Sequence, residues 1–179
     1  MNCGCNSDDT KAPQNGTKTL EVEFLYLDVN TCEPCGGTAQ TLREALEIMK
    51  PPLAALGVDL VERKIHVKDQ DIAIAHEFRS SPTIKIAGKD IDPAITEDDC
   101  PSCGSLVGGD VSVDCRTWHW NDEVYKSAPV GKIVEEIMAA VPGTGQVGDN
   151  AKIPAGDYKL PDNLKQFFAA RNANPSTVC

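Results

Sequence analysis

Thr31-Cys32-Glu33-Pro34-Cys35-Gly36-Gly37 stands where an apolar run ends and an amphipathic one begins. Before it, Leu20 to Leu27 has strand composition: Leu20, Val22, Phe24 and Tyr26 alternate with Glu21 and Glu23, then the run turns wholly apolar. A strand of that kind suits a sheet covered on both faces. From Thr38 the period changes. Leu42, Ala45, Leu46 and Met49 fall at i, i+3, i+4 and i+7, which predicts a helix with one core face. The cysteine pair therefore sits at a strand-to-helix turn. Unpaired N–H groups there favour a negative charge, and so favour the thiolate of Cys32. Cys35 lies one turn on, within disulfide reach, and Pro34 suits a first turn, where a missing N–H costs nothing. The same spacing also fits half of a zinc site.

Further along, Pro51-Pro52 is expected to end or kink the helix, and Leu53 and Leu56 continue its apolar stripe to Gly57, which allows a further turn past a kink. Val58 to Val67 reads as a second strand, and Asp69 as the N-cap of a helix through Phe78. His66 and His76 read as ordinary structural or surface histidines. Arg79-Ser80-Ser81-Pro82-Thr83 leads into Ile84, Ile86 and a Gly88-Lys89 turn, which predicts a hairpin.

The order strand, Cys-x-x-Cys, helix, strand, helix, Ser-Pro-Thr, strand, strand resembles the thioredoxin fold. The resemblance implies an α/β fold, a central mixed sheet flanked by helices, over residues 19–141. It implies a cis bond before Pro82 and a catalytic set of Cys32, Cys35 and Pro82. Cys32 would attack and Cys35 would resolve, with Ser81, Thr83 and Thr31 lining a substrate groove. The implied activity is that of a thiol–disulfide oxidoreductase needing no cofactor. Its partners would be a protein or small-molecule disulfide and a reductant. There are departures: Thr31 stands where a Trp is usual, the loop before the pair is longer, and the Glu33 carboxylate opposes a thiolate at Cys32.

A Cys-rich insertion, about 93–117, holds a second Cys-x-x-Cys at Cys100 and Cys103, with Cys115 following. Its Gly-rich stretch predicts a loop or lid. Three readings stay open. Cys100, Cys103, Cys115 and His119 have zinc-finger spacing. Against that, Thr117-Trp118-His119-Trp120 reads as a strand, which puts Cys115 and His119 ~13 Å apart. The cysteines are equally a second redox station relaying electrons to Cys32 and Cys35. They also suit a soft metal or metalloid, since thiolates favour thiophilic ions. Glu97-Asp98-Asp99 reads as a solvated loop face. The run Cys-x-x-Cys-Gly, Val-Asp-Cys-Arg-x-Trp, Tyr and helix resembles an uncharacterised thioredoxin-like family of bacteria and archaea, recorded as a domain of unknown function. That resemblance covers residues 20 to about 141 and implies the fold and both cysteine clusters, but no substrate.

Trp118 and Trp120 are expected to pack in the core. Asn121-Asp122 reads as a turn. Pro129 suits a first helical turn ahead of an apolar stripe of Val130, Ile133, Val134, Ile137, Met138 and Val141. Residues 1–18, with Cys3 and Cys5, read as a flexible arm. Residues 142–179 read as a linker and a short docking helix carrying Leu160, Leu164, Phe167 and Phe168, with Cys179 as a terminal thiol. The 179 residues are 41% hydrophobic and 25% charged, ordinary for a globular chain. A net charge of -10 argues against nucleic acid and against an anionic membrane surface. The chain has neither a long apolar run nor a signal-like N-terminus, so a cytoplasmic setting is expected. In that setting eight cysteines point to redox or metal chemistry rather than structural disulfides.

Overall fold

The computed structural model describes residues 18–108, 113–144 and 158–173. Expectations for Cys3, Cys5 and the rest of 1–17, for the linker at 145–157 and for Cys179 lie outside the described residues. Strand β1 (Lys18–Tyr26) sends alternate side chains to opposite faces. Leu20, Val22 and Phe24 enter one core, and Leu25 and Leu27 enter another. Glu21 and Glu23 stay half-buried, so the second face is sealed only toward the C-terminal end of the strand. That asymmetry is why the run becomes wholly apolar there.

Helix α1 (Glu33–Ala55), β2 (Val58–His66), α2 (Gln70–Ala75), β3 (Thr83–Ile86) and β4 (Lys89–Asp90) follow in order. They build a mixed sheet, β2-β1-β3-β4, in which β1 and β2 are parallel and the other pairs antiparallel. A second, antiparallel sheet contains β5 (Thr96–Asp99), β6 (Asp114–Trp120) and β7 (Glu123–Tyr125). Helix α3 (Pro101–Ser105) lies between β5 and β6, and α4 (Val130–Ala140) and α5 (Asp162–Ala173) complete the elements. The chain is α/β, as expected.

Several local expectations are corrected. Of the two outcomes open at Pro51-Pro52, helix α1 takes the further turn, running to Ala55 rather than ending at the prolines. Each proline removes one backbone bond, but Met49 and Leu53 remain buried on the same stripe and hold the last turns to the core. Helix α2 stops at Ala75 because Glu77 turns to φ 46, so Phe78 reaches the core from a turn. The Gly-rich stretch of the Cys-rich insertion lies partly outside the described residues, and the insertion before it contains β5 and the one-turn α3. Glu97, Asp98 and Asp99 are exposed, but on a strand paired with β6.

The first core packs α1 and α4 against β1 and Trp118. Burying each Leu or Ile there contributes roughly 1.5–3 kcal/mol relative to exposure. Met138 is corrected to the surface, at 60% exposure. Ile133 and Ile137 hold the core stripe, and residue 138 lies a further 100° around the helix. Trp120 is also corrected: it is only partly buried, and its indole nitrogen donates to Glu135 at 3.0 Å. The outer edge of its ring lies against α4, where a Cβ on Gly131 would stand 2.3 Å from it. Gly131→Ala is therefore expected to cost about 1–3 kcal/mol by overpacking and to shift tryptophan emission to the red. Unchanged melting and emission would show that this approach is not needed.

The second core joins Leu25, Leu27 and Phe78 to Val107, Val113 and five cysteines. Helix α5 closes it with Leu164, Phe167 and Phe168, so the apolar C-terminal segment docks on its own domain. Tyr158 donates its hydroxyl to the Phe78 carbonyl, and Asn163 bonds both backbone groups of Asp114.

Candidate metal centre

Two helix starts and one strand bring thiols together. Between β1 and α1, the Asp28 carboxylate accepts the N–H groups of Asn30 and Thr31 at 2.8 and 2.5 Å, which folds the loop back on itself. Cys32 is then the N-cap of α1. Gly36 follows because the chain approaches Val29 closely: a Cβ at Gly36 would stand 2.8 Å from the Val29 carbonyl oxygen. Cys100 repeats the arrangement as the N-cap of α3, with Pro101 in the first turn and Cys103 a turn on. Cys115 comes from β6.

The sulfurs of Cys32, Cys100, Cys103 and Cys115 all lie within 4.8 Å of one another. Cys115 is 3.1 Å from Cys103 and 3.6 Å from Cys32. All four are buried. One hydroxyl supports them: Ser102 Oγ lies 3.3 Å from the Cys100 sulfur and accepts the Glu33 N–H at 3.4 Å, tying α3 to α1. A crevice of about 40 Å³ reaches Cys100 and Cys115 from outside, past Glu33, Asp98, Asp99 and Lys126.

Strand β6 is held there by the residue after Cys115. The Arg116 N–H donates to the Ser81 carbonyl at 2.8 Å. Its fully buried guanidinium makes two 2.9 Å bonds to the Asp90 carboxylate, reaches Thr83 Oγ1 at 3.1 Å and donates to the Asp92 carbonyl. It also lies 4.6 Å over the Trp118 ring. Arg116 thus fixes the register that aims Cys115 at the other thiols.

Four sulfurs in one dry pocket cannot all ionise, so their protons are shared unequally. Hydrogen bonds from Cys103, then Cys115 and Cys32, hold the Cys100 thiol far below the ordinary range. The same contacts push Cys115 and Cys32 well up, Cys100 being the first cause for each. Cys35 is also pushed up, first by its bond with Cys32 and then by burial.

The structure thus brings Cys100, Cys103 and Cys115 together, and Cys32 occupies the fourth place that spacing offered to His119. His119 is exposed on β6, with Nδ1 3.4 Å from Thr96 Oγ1 and not in the cluster. An extended strand carries it away from Cys115, for the reason of length given above. Cys35 lies beside the cluster, its sulfur 3.3 Å from Ser81 Oγ. The Ser81–Pro82 bond is cis. Ser81 and Thr83 are buried and engaged internally: Ser81 Oγ accepts the Leu27 N–H and its carbonyl takes Arg116, while Thr83 bonds Ser80 and Arg116. Thr31 is exposed. The sequence offered Cys32 and Cys35 together as half of a zinc site; that Cys32 without Cys35 completes the set of Cys100, Cys103 and Cys115 was not read from it, nor was the part played by Arg116. The repeated Cys-x-x-Cys at two helix starts was the available signal.

Fold and site define an α/β protein with a buried four-cysteine cluster. Residues 20–137 match the family model described as Domain of unknown function (DUF2703), and the chain belongs to that family. No curated protein and no solved structure matches the chain. No helix among the described residues is long and apolar enough to cross a membrane.

Proposed function

We propose that the protein binds one thiophilic metal ion through Cys32, Cys100, Cys103 and Cys115, for storage or transfer rather than turnover. The observation that carries this reading is the mutual approach of those four sulfurs, all within 4.8 Å. Tetrahedral zinc, with Zn–S near 2.3 Å, needs sulfurs about 3.8 Å apart, so only small shifts would close the set. An iron–sulfur cluster interposes its own iron and sulfide atoms and would need the cysteines spread wider. Four protein ligands leave no open position for hydrolytic chemistry. Zinc and softer ions of the same geometry fit; the crevice at Cys100 and Cys115 supports exchange with a carrier. A reducing, cytoplasmic setting suits five free thiols.

Anaerobic titration with zinc tests this. One ion per chain should bind, protecting four thiols from alkylation. Cys32 and Cys115 are held protonated when the site is empty, so both must lose a proton on loading. Protons compete with the ion, and each one displaced contributes a tenfold gain in affinity per pH unit. Affinity should therefore rise with pH, by about 100-fold or more per unit near neutrality. Absence of stoichiometric binding, or a flat pH profile, would count against the site.

A second reading is a thioredoxin-like thiol–disulfide oxidoreductase, with a protein or small-molecule disulfide as substrate and a separate reductant. It is favoured by Cys32 at a helix start with Cys35 one turn on, beside the cis-proline loop. It is weakened by the upward push on Cys32, which disfavours the thiolate that attack requires. Partner proteins trapped as mixed disulfides by Cys35→Ser would support it.

A further inference from the structure

Cys35 is the buried cysteine among the described residues that the metal centre leaves unused. It is 0% exposed. Three residues after Cys32 on the first turn of α1, it has the separation a disulfide takes, about 5–6 Å between Cα atoms. The Cys32 sulfur is the neighbour that acts most on its thiol, pushing it up. One sulfur therefore has two mutually exclusive uses: a disulfide sulfur has lost the negative charge with which it held a cation.

Resting on the metal-binding reading, we propose that the centre is an oxidant-triggered release site, in which a peroxide entering the crevice ends as a Cys32–Cys35 disulfide and the ion leaves. The crevice reaches Cys115, whose sulfur stands 3.6 Å from that of Cys32. The Cys115 thiolate attacks the peroxide, the O–O bond breaks, and a sulfenic acid and hydroxide form. The Cys32 thiolate attacks that sulfur, expels a second hydroxide and forms Cys32–Cys115. The Cys35 thiol, losing its proton, attacks the Cys32 sulfur and returns Cys115 as a thiolate. The proton neutralises one hydroxide. Two electrons pass from Cys32 and Cys35 to the peroxide, and the ion keeps its charge. In the loaded protein Cys35 is the thiol without a metal bond, which is why it ends the relay. The ion is left with three thiolates.

The test loads the full chain with zinc and adds one equivalent of hydrogen peroxide. Zinc release is read with a chromophoric chelator and the disulfides by peptide mass mapping. Wild type should give Cys32–Cys35, one zinc released per disulfide, and reloading after reduction by a dithiol. Zinc affinity of the oxidised form should fall about 100-fold or more, past the range that outer-shell partners control. Cys35→Ser should load zinc, then stop at Cys32–Cys115. A wild-type map dominated by Cys103–Cys115 would overturn the proposal, as would zinc retained after Cys32–Cys35 forms. The wild-type map stands even if the variant folds poorly. If zinc never loads, the metal-binding reading falls and takes this one with it; if it loads and the disulfide maps elsewhere, this one falls alone.

Discussion

Replacing Cys115 by serine is expected to weaken zinc binding by about 1,000-fold or more. The estimate follows from position: the Cys115 sulfur approaches both Cys103 and Cys32, one from each helix start. A serine hydroxyl stays protonated near neutrality and offers no charge. Its loss should exceed the 10–100-fold that supporting partners control. Cys35→Ser, by contrast, should bind within about tenfold of wild type, since Cys35 is not among the four convergent sulfurs. Competition against a chelator of known affinity measures both. Equal affinities for the two variants would remove Cys115 from the ligand set.

The largest effect on stability is expected at Arg116. Its side chain is fully buried and is neutralised by Asp90, whose side chain is 22% exposed. Arg116→Ala leaves the Asp90 carboxylate without its counter-charge, held only by the Asp92 N–H, leaves the Asp92 carbonyl without its guanidinium donor and opens a cavity beside Trp118. Removing one partner of such a pair costs about 3–5 kcal/mol. For a chain of this size that lowers the melting temperature by roughly 10 °C. Arg116→Lys should recover only part, because an ammonium cannot reproduce the two parallel bonds. Arg116→Met with Asp90→Leu should recover more than Arg116→Ala alone, since neither charge is then left unpaired. A loss under 1 kcal/mol in denaturant unfolding would show that water replaces Arg116 cheaply.

Much of the fold was legible because its signals are local. The alternation of Leu20, Val22 and Phe24, the N-cap at Asp69 and the Asn121-Asp122 turn each follow from neighbouring residues; the last shows φ of 51 and 63. What failed depended on distant partners. Met138 has the right period for α4 but faces away from the core, and Trp120 packs from outside on Gly131. At the site, Cys100, Cys103 and Cys115 are near in sequence and were grouped readily. Cys32 is 83 residues from Cys115, and long-range contacts such as the Arg116 N–H to Ser81 carbonyl bond hold β6 where they meet. No spacing rule encodes that pairing. His119 had the spacing, but not the backbone, to reach the same point.

The docking of α5 has a consequence for what counts as a unit of this protein. The family match ends at residue 137, inside α4, whereas Leu164, Phe167 and Phe168 of α5 are part of the core that holds the cysteines. A boundary drawn where sequence similarity stops would cut that core open and wet Leu25, Leu27 and Phe78. In this chain the core around the cysteines extends past the end of the family match, and one of its walls is a segment that the match does not cover.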